Sequence, residues 1–82
     1  MKYEFFNDTG SDVKFILEPW ADEYLVENGA HISLSMFCEK DRADCSVRNS
    51  PSTIVFFAPE HSLVHVFLGG KDVTKASGSV QF

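Results

Sequence analysis

Basic residues are missing from a long part of this 82-residue chain, because no lysine or arginine occurs between Lys14 and Lys40. The chain has 7 basic and 12 acidic residues and a net charge of −5. Residues 1–39 contain eight acids and two lysines (−6), whereas residues 40–82 contain five basic and four acidic residues (+1). Nucleic-acid binding requires a basic patch, so direct binding to nucleic acid is not expected. The acidic half would instead attract a basic protein surface, or only keep the protein soluble.

Long apolar runs are also missing. No run approaches the roughly 20 residues that a membrane-spanning helix requires, so we expect no membrane partner. The first eight residues contain neither a continuous apolar segment nor a cleavage site of small residues, so we expect no signal peptide and a cytoplasmic location.

Cysteine is scarce and histidine is poorly placed for metal binding. Cys38 and Cys45 are separated by six residues, which is not a zinc-ligand spacing. In the cytosol we expect two reduced thiols, the alternative being a disulfide worth about 2 kcal/mol. His61 and His65 would lie roughly 13 Å apart along a strand, too far apart to share one metal ion. The sequence therefore predicts no cofactor and no metal.

Helical periodicity is nearly absent, and alternation of apolar and polar residues takes its place. It is clearest over residues 13–17 and 32–36, and two runs at 53–58 and 62–68 are apolar on both faces. Hairpin turns are predicted at Asn28-Gly29 and Gly69-Gly70, and a polar loop over 38–52 with one helical turn at 41–45. The pattern indicates a single all-β domain over residues 1–82, an antiparallel β-sandwich or partly open barrel of six to eight short strands.

The most distinctive segment is Glu18-Pro19-Trp20-Ala21-Asp22-Glu23-Tyr24, which places the only tryptophan among several acids. Protein-binding hot spots favour Trp and Tyr surrounded by polar groups, although Trp20 could equally close one end of the sandwich. We predict a partner-binding surface made of Glu18, Trp20, Asp22, Glu23, Tyr24 and Glu27.

This segment, together with the Asn7-Asp8-Thr9 turn before it, resembles a group of small, mostly uncharacterised bacterial β-proteins. Those proteins carry an Asn-x-Thr turn and a Glu-Pro-Trp-x-x-Glu-Tyr segment, and the resemblance covers about residues 5–35 of this chain. It implies a bacterial cytosolic accessory protein and does not indicate an activity.

These observations favour a non-enzymatic, acidic protein-binding module. Its specific form would be an immunity-type inhibitor that neutralises a basic toxin, for example a nuclease, by charge mimicry. Carboxylates would stand where phosphates bind, and the two large rings would supply an apolar anchor. One alternative is a structural module that forms homo-oligomers through sheet edges. Another is a small metal-dependent enzyme that uses His61, His65 or Cys38.

Overall fold

Eight β-strands account for most of the protein in a computed structural model, which describes residues 2–38, 45–59 and 62–75. In chain order the strands are β1 (Lys2–Phe6), β2 (Val13–Glu18), β3 (Asp22–Val26), β4 (His31–Cys38), β5 (Ser46–Ser50), β6 (Thr53–Phe57), β7 (Ser62–Leu68) and β8 (Lys71–Asp72). No described residue belongs to a helix long and apolar enough to cross a membrane.

The strands form two four-stranded sheets, which confirms the predicted all-β fold class. The first sheet has the order β1-β4-β7-β8, and the second has the order β3-β2-β6-β5. Five of the six pairings are antiparallel, whereas β2 and β6 run parallel. Strand β3 occupies one edge of β2, so β6 pairs with the other edge. Between β3 and β6 the chain passes through β4 of the first sheet and then β5, and it enters β6 in the same direction as β2. The expected antiparallel pattern therefore holds except at this central pair.

The core lies between the two sheets and follows directly from the alternation in the sequence. Inward positions of β2, β3, β4, β6 and β7 are buried, and they are Val13, Phe15, Leu17, Tyr24, Val26, Ile32, Leu34, Met36, Ile54, Phe56, Val64 and Val66. Aromatic rings connect the two sheets. The centroid of the Tyr3 ring, on edge strand β1, lies 4.9 Å from the centroid of Phe56 and 6.2 Å from that of Phe15. Such tilted ring contacts stabilise a core beyond the burial of apolar area.

The turn at Asn28-Gly29 forms, but it is not a hairpin. Gly29 has a φ of +89°, as a tight turn with left-handed backbone requires. The strands on either side belong to different sheets, because β3 pairs with β2 and β4 pairs with β1 and β7. A turn signal specifies local dihedral angles and not the pairing partners of the strands that it joins, so the hairpin prediction was wrong here.

The predicted polar loop over 38–52 was also wrong in part, because β5 forms inside it and pairs with β6. All five residues of β5 are exposed, and only Val47 among them is apolar. The sequence of this strand therefore lacks the alternation of apolar side chains by which a strand is predicted. The predicted helical turn at 41–45 falls almost entirely outside the described residues. The hairpin at Gly69-Gly70 is confirmed and joins β7 to β8.

Candidate functional site

The predicted binding segment forms the hairpin between β2 and β3. The hairpin turn has four residues, 18–21, because the pairing of β2 and β3 ends at Leu17 with Asp22. The Glu18–Pro19 peptide bond is cis, and Ala21 has a φ of +60°. Glu18 and Trp20 are half-buried, and Trp20 packs against the core. The indole Nε1 is buried and has no hydrogen-bond partner among the described residues. Trp20 therefore helps to close this end of the sandwich, and only part of its ring is open to solvent.

Alternation along β3 turns two of the predicted site residues into the core. Asp22 is only 7 % exposed and Tyr24 only 5 %, whereas Glu23 between them is exposed. Successive side chains of a strand point to opposite faces, so three consecutive residues cannot all face a partner. The expectation of one open surface was therefore wrong for Asp22 and Tyr24.

Tyr24 connects β3 to the chain that follows β8. Its hydroxyl oxygen accepts a hydrogen bond from the backbone N–H of Lys75 at 3.2 Å, and the Lys75 Nζ lies 5.4 Å from the centre of the ring. Burial raises the pKa of Tyr24, and the carboxylates of Asp22 and Asp72 raise it further, while the bond from Lys75 opposes this shift. The contact holds the two sheets together on the β3–β8 side of the sandwich.

The raised pKa of Tyr24 predicts a loss of stability at high pH. The folded protein binds the phenolic proton more tightly than the unfolded chain, whose tyrosines titrate near pH 10.0. This contribution is fully present below pH 10 and declines as the pH rises through the higher pKa of the folded state. We expect the urea midpoint to fall above pH 10, and to fall less in Tyr24→Phe. An equal fall in both proteins would contradict the assignment, and Tyr3→Phe serves as a comparison because burial also raises the pKa of Tyr3.

Glu23 faces outward but has a partner within the chain. Its Oε1 lies 3.7 Å from the Nζ of Lys14 on the neighbouring strand β2, and both side chains are more than half exposed. Such exposed pairs contribute less than about 1 kcal/mol, so the pair adds little stability. It does offset one of the negative charges that we expected to attract a partner.

Glu27 lies at the opposite end of β2 and β3 from the hairpin. The two strands pair from Val13 with Val26 to Leu17 with Asp22, which is about 13 Å of strand. There Glu27 belongs to the turn between β3 and β4, and Asp8 and Asp12 belong to the loop between β1 and β2. All three acids are exposed, and we call them the acidic end. Neither loop contains a lysine or arginine.

Hydrogen bonds lock the two loops of the acidic end together. The backbone N–H of Gly10 donates to Oδ1 of Asn28 at 2.9 Å, and the backbone N–H of Asn28 donates to Oδ1 of Asp12 at 3.1 Å. The bonds run in both directions between the loops, so neither can move far without the other. The acidic end is therefore carried by two loops whose backbones are held relative to each other.

Asn7 anchors the first of these loops from inside the protein. Its side chain is 1 % exposed, and its Nδ2 donates to the carbonyl oxygens of Val26 at 2.8 Å and of Ser11 at 2.9 Å. Its Oδ1 accepts from the backbone N–H and the hydroxyl of Thr9 at 3.1 and 2.7 Å. In the sequence Asn7 is recognisable only as part of the Asn7-Asp8-Thr9 turn, and a turn motif does not reveal that its first side chain is buried.

A groove of about 280 Å³ opens between the sheets next to this loop. Its walls are apolar side chains with a polar rim, and they include Tyr3, Phe5, Val13 and Ile54 with Thr9 and Asn49. The groove lies on the side of the sandwich where β1 and β5 are the edge strands, and we call it the β1–β5 groove. No residue of the predicted site lines it. The sequence could not predict this groove, because it depends on which edge strands of the two sheets lie opposite each other.

Of the three residues named for metal chemistry, the structure describes the side chain of one. No group of three histidine, cysteine or acidic side chains that could hold a metal ion occurs in the described ranges. His65 is exposed on β7, while His61 and the side chain of Cys38 lie outside the described part of the chain. His31 binds Glu4 instead, with its Nε2 3.0 Å from Oε1, and stacks on the ring of Phe6 at 4.1 Å.

Comparisons with known proteins give no relationship from which a function could be transferred. The chain matches no protein-family model, no curated protein and no solved structure.

Proposed function

We propose that this protein is a non-enzymatic, acidic protein-binding module that captures a basic partner. The acidic end carries the proposal, because its three carboxylates are exposed and lie on two interlocked loops without a basic residue. Like charges on loops that are already held together accelerate association with a complementary surface, and the loop backbones do not have to be ordered on binding. The net charge of −5 extends this attraction over the whole molecule.

The specific form of this function is neutralisation of a basic toxin, for example a nuclease, in a bacterial cytosol. A toxin that binds nucleic acid presents lysines and arginines where phosphates sit, and carboxylates in place of the phosphates would block that surface. The acidic end replaces the originally predicted cluster as the main contact, since Asp22 is buried and Glu23 is paired with Lys14. Glu18 and Trp20 are half-buried at the hairpin and lie outside the contact proposed here.

Charge reversal at the acidic end is expected to weaken partner binding strongly. Protein immobilised on a resin would capture partners from bacterial extract at low salt, and the captured proteins would be identified, purified and titrated by calorimetry. For Asp8→Lys with Glu27→Lys we expect affinity for a basic partner to fall by about 100-fold or more, since close charge pairs across interfaces couple by roughly 1.5 kcal/mol or more each and two pairs are lost. Asp12 is left unchanged because its carboxylate holds the backbone of Asn28.

The matched control reverses two charges at the other end of the same strands. Glu18→Lys with Glu23→Lys makes the same change in net charge at the hairpin, so it measures the general effect of charge alone. We expect a loss below about 5-fold, because exposed charges farther apart than a Debye length of about 8 Å are largely screened. A larger loss in this control than at the acidic end would place the contact at the hairpin. No loss in either variant would overturn capture by charge.

A second candidate function is assembly of copies of this chain through sheet edges. Strand β5 favours it, because β5 is an edge strand with all five residues exposed. Sedimentation at two salt concentrations separates the two functions. Oligomers joined by backbone hydrogen bonds should change little with salt, whereas capture of a basic partner should weaken steeply.

A further inference from the structure

The second sheet extends farther than the first on the β1–β5 side. Val47 and Asn49 of β5 pair with Phe56 and Ile54, which are buried. Side chains of paired residues point to the same face of a sheet, so Val47 and Asn49 face inward, yet both are exposed. Nothing in the described part of the first sheet covers them. The first sheet ends at β1, whose Tyr3 ring lies over Phe56 on β6.

The β1–β5 groove is the space that one more strand of the first sheet would occupy. Among the described strands β1 pairs only with β4, so the backbone of its other edge has no strand partner. Tyr3 and Phe5 of β1 form one wall of the groove, Ile54 belongs to the wall opposite, and Asn49 contributes from β5. A chain placed here could bond to β1 and cover Val47 and Asn49 of β5 at the same time.

We propose that the β1–β5 groove accepts an extended, basic segment of the partner protein, which adds a fifth strand to the first sheet beside β1. Main-chain hydrogen bonds along β1 would supply affinity, and alternate apolar side chains would fill the groove. This inference rests on the proposed function, since it specifies how the basic partner is held.

Charge favours a basic segment over an apolar or acidic one. Thr9 lines the groove and lies between Asp8 and Asp12 in the loop that follows β1. The outer face of β1 contributes no net attraction, because Lys2 lies there beside Glu4 and the Glu4 carboxylate contacts Nε2 of His31. Lysines of an added strand would meet Asp8 and Asp12 where the strand passes the loop after β1, while its apolar residues enter the groove.

Three synthetic peptides test the occupant. The first is acetyl-KVKFKVK-amide, which alternates lysine with valine and phenylalanine. The second has the same charge but proline in place of both valines, which removes two backbone donors and disfavours a paired strand. The third replaces lysine with glutamate. With the full-length protein we expect the first peptide to bind at least about 10-fold more tightly than either of the others, since both pairing and charge contribute.

Amide hydrogen exchange locates the bound strand. We expect the first peptide to slow exchange at alternate amides of β1 and to leave β3, the edge strand of the other sheet on the far side from the groove, unchanged. Protection of β3 or β8 in place of β1 would overturn the assignment to this groove. Equal binding of the proline peptide would also overturn it, because attraction between charges would then explain the affinity without any strand.

Two lysine substitutions on β5 give a matched pair. Asn49→Lys places a charge at the groove, whereas Ser46→Lys places the same charge on the outer face of the same exposed strand. We expect the first variant to weaken the basic peptide about 10-fold and the second less than about 3-fold, because repulsion falls steeply with distance in water. Equal losses would contradict docking in the groove.

The outcomes separate this inference from the proposed function. Loss of partner binding in Asp8→Lys with Glu27→Lys, but none in Asn49→Lys, would keep the acidic module and overturn strand addition. Protection of β1 by the glutamate peptide with equal affinity would keep strand addition and overturn the preference for a basic partner. Dimers of the protein alone that protect β1 in the same way would show that a second copy fills the groove, which also overturns the proposal.

Discussion

Replacing Phe15 with alanine is expected to lower the free energy of unfolding by about 4 kcal/mol, the usual range for a buried phenylalanine being roughly 3–5 kcal/mol. Phe15 has no exposed surface and lies on β2, the central strand that pairs with both β3 and β6. Its ring lies within 6.2 Å of the rings of Tyr3 and Phe56. The cavity would therefore open at the point where the two sheets are joined, and strands on both sides of β2 resist its collapse.

The loss is large compared with the stability of so small a domain. A chain of this size has a free energy of unfolding of about 5–8 kcal/mol, so the variant would be near its unfolding midpoint in modest urea. Urea denaturation followed by tryptophan fluorescence measures the change. Leu25→Ala is the control, because Leu25 is 58 % exposed on β3, and we expect it to cost less than about 1 kcal/mol. Similar losses for both variants would contradict the position of the core.

Replacing Asn7 with alanine is expected to cost about 3 kcal/mol, because each buried polar group left without its partner costs roughly 1–3 kcal/mol. The carbonyl oxygen of Val26 would lose this donor and the backbone N–H of Thr9 would lose its acceptor, whereas the carbonyl oxygen of Ser11 would keep the Thr9 hydroxyl as a donor. Asn49→Ala provides the control, since Asn49 is exposed, and we expect a change within about 0.5 kcal/mol.

Asn7→Asp separates the two roles of the amide group. The aspartate keeps an oxygen that can accept from Thr9 but cannot donate to Val26 or Ser11, and it adds a buried negative charge. We expect it to destabilise at least as much as alanine at pH 7 and less at low pH, where protonation removes the charge and restores a donor. Amide exchange at Gly10 and Asn28 should quicken in both variants. Unchanged exchange would show that the acidic end does not depend on this anchor.

Local patterns in the sequence predicted most of the strands. Alternation over residues 13–17 and 32–36 correctly identified two strands and the faces that they bury, because the period of two is a property of the strand itself. It also contained the means to exclude Asp22 from the surface, since Tyr24 and Val26 share its face of β3. The predicted binding surface instead combined residues that are close together in the chain, without regard to the face of β3 on which each side chain lies.

Strand β5 and the pairing of the strands around the Asn28-Gly29 turn could not be predicted from local patterns. The residues of β5 read as a loop because an exposed edge strand needs no apolar side chains, and its order comes from backbone bonds to β6. The turn had the expected residues but joins two sheets, since pairing depends on strands distant in the chain. The β1–β5 groove and the hydrogen bond from Asn7 to Val26 also depend on residues that are far apart in the chain.

Composition and alternation by themselves determined that this chain forms an acidic, all-β domain, because charge is a sum over residues and side-chain direction is a property of each strand. Only the tertiary structure decided that Asp8, Asp12 and Glu27 form one acidic end and that a groove lies open beside β1. Both depend on which strand edges and loops meet in space, and those contacts are made between residues far apart in the chain.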